Sequence, residues 1–213
     1  MEKDIFKKEE ELINERLNSL KKDDNVVHLK YIGEINEADL KEISDQLSTA
    51  NLELSTFDSS RKTVACLEDF SFVTYLAISQ PLIIEFLKGI STNAGWDVMK
   101  QTIIFVRSKI LGKKYYRVTS KTQEEKEITF GVKVKLDKNT GFDFELKGNL
   151  SDEIIGESLD KILDFLKTQE VNPKYEHPLF VEYSKKEKKW IPINVLEEMR
   201  KKRKSNSDNK NLI

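Results

Sequence analysis

Cysteine is almost absent from this chain. Cys66 is its single thiol in 213 residues, so an intramolecular disulfide is impossible and a reducing, cytoplasmic setting is expected. Only two histidines occur, His28 and His177, and no Cys/His pair has ligand spacing, so no zinc or iron site is expected. The 8 glycines never cluster into a phosphate-cradling loop, which removes the basis for a nucleotide cofactor. The start, Met1-Glu2-Lys3-Asp4, lacks the basic and apolar segments of a signal peptide. Long hydrophobic runs are also missing. The stretch beginning at Phe70 is uncharged only as far as Ile84, is broken by Gln80-Pro81, and then meets Glu85 and Lys88. A bilayer span needs roughly 20 apolar residues, so a buried strand followed by a buried helix is expected there instead.

What is present is charge. Hydrophobic residues make up 38% of the chain, enough for a core, and charged residues 34%, enough for a heavily solvated surface. Lys+Arg 36 nearly balance Asp+Glu 37, but unevenly: from position 171 onward eleven cations face six acids. The body is therefore mildly acidic and the C-terminal part basic, an asymmetry that suits an anionic partner.

The pattern predicts an α+β fold, a mixed or antiparallel sheet with helices packed mainly on one face. A charged amphipathic helix is expected at 4–22. A strand at Val26–Ile32, a helix capped by Asn36 and running to Leu47, and a strand at Leu52–Phe57 follow as a β-α-β unit. Val64–Leu67 and Phe70–Ile78 read as extended. Pro81 opens a short apolar helix, and a second runs from about 95 to Leu111 with Gly112 as its stop. Trp96 and Phe105 make that second helix either a core element or an interaction face, the core being the stronger reading.

The clearest segment is a hairpin at 128–146 followed by a helix at 151–167. Phe130, Val132, Val134 and Leu136 alternate with polar residues, as do Phe142, Phe144 and Leu146, around the turn-forming run Asp137–Gly141. Pairing Leu136 with Phe142 sets Val134 opposite Phe144, Lys135 opposite Asp143 and Lys133 opposite Glu145. Ser151 caps the helix, with Asp152 and Glu153 in its first turn. A second hairpin, Leu179–Tyr183 with Trp190–Ile193, and a short helix from Asn194 to Arg203 come last. The expected organisation is a helix at 1–23, one domain over 24–170, a hairpin-plus-helix appendage over 171–203 and a disordered tail over 204–213.

Three functions are weighed. The leading expectation is a non-enzymatic intracellular interaction or accessory module with a protein partner or a second copy of itself, the helix at 4–22 being its best partner-binding segment. The alternative is a nonspecific nucleic-acid binder, with Lys185, Lys186, Lys188, Lys189, Arg200, Lys201, Lys202, Arg203 and Lys204 on phosphates and Trp190, with Tyr183, stacking a base. The run at 201–204 would also serve as a nuclear localisation signal. The second alternative is a metal-dependent hydrolase using Glu145 and Lys147, whose Glu-x-Lys spacing resembles half of the PD-(D/E)xK nuclease layout. Its other half is poor, because Asp137 lies at the turn end of its strand and the two hairpin lysines already offer the acids structural partners. Cys66 would become a nucleophile only with His28 or His177 beside it, and its apolar neighbours favour simple packing.

In element order alone, the strand-helix-strand start, apolar helices and hairpin Phe130–Leu146 before a last helix resemble the small accessory components encoded beside effectors in bacterial conflict systems. That resemblance implies a non-catalytic adaptor of a separately encoded effector and assigns no site residues.

Overall fold

The computed structural model describes residues 24–32, 35–59, 72–89, 93–118, 123–146, 150–169 and 179–195. The expected helix at 4–22, the extended segment Val64–Leu67, all of the last short helix beyond residue 195, and the tail lie outside these residues. In chain order the described elements are β1 (Val26–Tyr31), α1 (Glu37–Ser48), β2 (Glu53–Asp58), β3 (Thr74–Ile78), α2 (Gln80–Lys88), α3 (Asn93–Ile110), β4 (Lys114–Val118), β5 (Gln123–Glu127), β6 (Phe130–Lys135), β7 (Gly141–Glu145), α4 (Asp152–Lys167), β8 (Leu179–Ser184) and β9 (Lys189–Ile193).

Local chemistry explains most boundaries. The Asn36 side chain accepts from the Asp39 amide at the start of α1, and Ser151 accepts from the Ile154 amide at the start of α4. Pro81 sits in the first turn of α2, whose end is a left-handed Gly89 at φ 64°. The apolar stripe of α4, Ile155, Leu159, Ile162 and Leu166, is buried.

Seven strands form one mixed sheet in the order β2-β1-β3-β6-β7-β8-β9, and β4-β5 form a separate two-stranded ladder. The fold is thus α+β. Parallel pairs β1-β2, β3-β6 and β7-β8 are each bridged by helical connections, while β1-β3, β6-β7 and β8-β9 run antiparallel. Leu29, Leu76, Val132, Phe144 and Val181 stand side by side across this sheet and join Ile43, Ile83, Ile103 and Leu159 of the four helices in one core. Helices therefore cover one face. Trp96 and the fully buried Met99, Ile103 and Val106 make α3 a core helix.

Two sequence expectations change. The β6-β7 register differs by two residues: Val134 pairs with Phe142, Val132 with Phe144, Lys133 with Asp143, and Gly131 with Glu145. Asp137 sets this. Its Oδ1 accepts from the amides of Asn139 and Thr140 at 2.6 and 2.8 Å, and the Leu136 amide donates to the Thr140 carbonyl at 2.9 Å. The loop is thus 136–140, shifted by one residue toward the N-terminus at the same length. Because the pleat repeats every two residues, this two-residue change of partner keeps every side chain on its expected face and alters only whom it meets. The second hairpin, set apart above as an appendage, is hydrogen-bonded to β7 through β8 and supplies the last two strands of the sheet.

Candidate functional site

Alternation places a second set of residues on the opposite face of the sheet, the helix-free face, which no helix among the described residues covers. Lys30, Tyr75, Gly131, Glu145, Glu182 and Ile191 form one row across the strands, and His28, Ala77, Lys133, Asp143, Phe180 and Ile193 the next. At their centre Lys133 Nζ lies 2.8 Å from Asp143 Oδ2, with the carboxylate side chain only 7% exposed and the lysine 32%. The ammonium also stands 4.8 Å from the centre of the Tyr75 ring and 5.6 Å from that of Phe72. Phe72 lies over Gly131, where a Cβ would fall 2.2 Å from its ring, and packs against Phe180 with centroids 5.2 Å apart. The glycine is there because an aromatic ring occupies the side-chain position.

This cluster carries one part-buried ion pair walled by rings. Burial, and then the Asp143 carboxylate, raise the Tyr75 phenol above the usual tyrosine range, so it remains a neutral donor at neutral pH. Burial lowers the His28 imidazole below its ordinary value and favours the uncharged ring. His28 Nδ1 is buried without a hydrogen-bond partner. The face therefore mixes aromatic, aliphatic and polar groups, with its central charge neutralised from within.

The residues proposed for nucleic acid divide sharply. Lys185 and Lys186 are exposed at the β8-β9 turn. Lys188 pairs with Glu157 at 3.2 Å and Lys189 with Glu187 at 2.7 Å, which reduces the positive potential of the tip. Trp190 is 3% exposed, its Nε1 donates to the Ser158 carbonyl at 2.8 Å, and it meets Phe144 and Tyr183 edge-on. Its ring is a core group with no face open to a base, and Tyr183 is buried beside it. Arg200, Lys201, Lys202, Arg203 and Lys204 lie outside the described residues.

Of the hydrolase pair, Glu145 stands opposite Gly131, and Lys147 lies outside the described residues. Asp137 is engaged in the turn and Asp143 with Lys133. Among the described residues no three His, Cys, Asp or Glu side chains gather into a metal-binding group, and no helix is long and apolar enough to cross a membrane. Cys66 and His177 lie outside the described residues.

Sequence reasoning overlooked Tyr75, Phe72 and Phe180 as members of one surface. The alternation Thr74-Tyr75-Leu76-Ala77-Ile78 could have shown that Tyr75 and Ala77 oppose the core, and Gly131 within a strand signals close approach by another group. No protein-family model matches the chain, and neither the curated proteins nor the solved structures contain a match.

Proposed function

We propose that this protein is a non-enzymatic interaction module, an accessory subunit working in the cytoplasm that presents the helix-free face of its sheet to a protein partner. The observation that carries this reading is the half-buried strip of Tyr75, Ala77, Ile191 and Ile193 around the internally paired Lys133 and Asp143. Aromatic and aliphatic groups ringed by polar ones are what a protein interface uses for its anchors. The ion pair supports the same reading, since a lysine already held by a buried carboxylate and two rings is a positioning element of the sheet.

The test is isolation of the tagged full chain from cells that make it, after nuclease treatment. Wild type is expected to recover a protein partner in fixed stoichiometry, and Ala77→Arg to lose it while keeping the circular-dichroism spectrum and melting curve. The double variant Lys185→Glu/Lys186→Glu should retain the partner. Retention by Ala77→Arg together with loss on reversing the tip charges would transfer the interaction to the basic turn. Recovery of nucleic acid in place of a protein, in a parallel isolation without nuclease, would sink the interaction-module reading.

A further inference from the structure

The helix-free face carries its charges in a fixed order across the strands. Its first row runs from Lys30 on β1 through Tyr75 and Gly131 to Glu145 on β7 and Glu182 on β8. Phe57 of β2 pairs with Lys30 and extends the row by an apolar residue, as Ile191 of β9 does at the other end. The cation thus stands on one side of the face and the two carboxylates on the other. β6, which carries Gly131, is the fourth of the seven strands, with three on either side.

This order is its own complement. A two-fold axis lying along β6 sets a second copy face to face and reverses its strand order, so that β1 lies over β8, β3 over β7 and β2 over β9. Lys30 then meets Glu182 of the second copy, the Tyr75 phenol meets the Glu145 carboxylate, and Phe57 meets Ile191. In the second row His28 comes over Phe180, Ser55 over Ile193 and Ala77 over Asp143. Lys133 meets its own counterpart beside the axis, but Asp143 holds its charge at 2.8 Å. An in-plane axis across the strands does the reverse: it keeps each strand over itself and puts Glu145 over Asp143, acid on acid. Packed sheets cross at about −30°, which slides the facing rows by about 5 Å at the distance of β1 from the axis. The long side chains of Lys30 and Glu182 span that shift, and Phe57 meets an isoleucine at either 191 or 193. Seven strands of five or six residues give a face of about 29 Å by 17 Å, or about 1,000 Å² over two copies, the lower bound for a specific interface.

We propose that the partner of the helix-free face is a second copy of this chain, the two sheets packing face to face about a two-fold axis along β6. The proposal rests on the reading of that face as the interaction surface and names its occupant.

Sedimentation equilibrium of the purified full chain tests it. The mass should rise with concentration from that of one chain to that of two, with a micromolar dissociation constant. Lys30→Glu and Glu182→Lys should each weaken dimerisation about tenfold, because the two-fold axis repeats the reversed contact. Mixing the two variants in equal amounts, or joining both changes in one chain, should restore wild-type affinity to within about threefold. Within one chain β1 and β8 are about 19 Å apart, beyond the screening length at physiological salt, so such a rescue reports a contact between chains. Circular dichroism verifies folding; if a reversal unfolds the chain, Lys30→Gln and Glu182→Gln carry the same test at about threefold. A chain that stays monomeric at about 300 µM overturns the proposal, since a micromolar dimer is then saturated. A dimer that neither reversal weakens, or that mixing the variants does not restore, overturns it too. If the monomeric chain captures a different protein and Ala77→Arg abolishes that capture, the face remains the interaction surface and only its occupant is wrong. If Ala77→Arg leaves that capture intact, the face fails as well.

Discussion

Trp190→Ala is expected to lower the stability of the whole chain by about 3–5 kcal/mol, the cost of emptying a fully packed aromatic site. The indole is 3% exposed, meets the Phe144 ring at 5.0 Å and the Tyr183 ring at 5.4 Å, and donates to the Ser158 carbonyl at 2.8 Å. It thereby fastens β9, at the edge of the sheet, to the middle of α4. Trp190→Phe keeps much of the packing and loses the hydrogen bond, so a smaller loss of about 1–2 kcal/mol is expected. Denaturant unfolding followed by circular dichroism measures both. If β8-β9 were an appendage folding independently, Trp190→Ala would leave the main transition at its wild-type midpoint; integration into the sheet requires that transition itself to move.

Lys133→Met is the second large effect. The substitution keeps the aliphatic stem beside Phe72 and Tyr75 but leaves the Asp143 carboxylate, only 7% exposed, without its cation. Breaking a fully buried pair typically costs about 3–5 kcal/mol; with the lysine one-third exposed, about 2–3 kcal/mol is expected. Adding Asp143→Asn to Lys133→Met should restore most of the loss, because the uncompensated charge disappears. A double-mutant cycle then isolates the coupling. The register expected from sequence makes the opposite statement: with Lys133 facing Glu145, Asp143→Asn would give no rescue, and Lys135→Met would be the damaging change.

That contrast also shows what the sequence could and could not say. Alternation in Val132, Val134, Phe142 and Phe144 was enough to find the hairpin and assign its faces, because burial depends on the parity of a position. It could not choose between registers of equal parity. Lysines at 133 and 135 faced acids at 143 and 145, so charge complementarity was satisfied in more than one alignment. The Asp137 carboxylate, by capping the amides of Asn139 and Thr140, decided among them.

The caps at Asn36 and Ser151 were legible for a different reason: each is a short-range contact within one turn. The β4-β5 ladder went unseen because Lys-Tyr-Tyr-Arg-Val and Gln-Glu-Glu-Lys-Glu show no apolar alternation. They pair through cross-strand charge, as in the Lys114–Glu125 contact at 2.6 Å. Trp190 misled for a related reason. Preceded by lysines, it looked like a stacking platform, but its side chain points to the core and the lysine before it to solvent, as alternate positions of a strand must. The helix-free surface was the hardest to read. Tyr75, Phe72, Gly131, Lys133, Asp143 and Phe180 come from four strands and the residues before one of them, and only the sheet order brings them together.

The most direct measurement of the central claim is photo-crosslinking from single positions in the intact protein, with its partner present. A benzophenone residue at Ala77, in the middle of the helix-free face, is expected to give one specific adduct with the partner. The same group at Glu42, exposed on α1 of the helical layer, is expected to give none. An adduct from Glu42 and none from Ala77 would contradict the assignment of the helix-free face as the interaction surface.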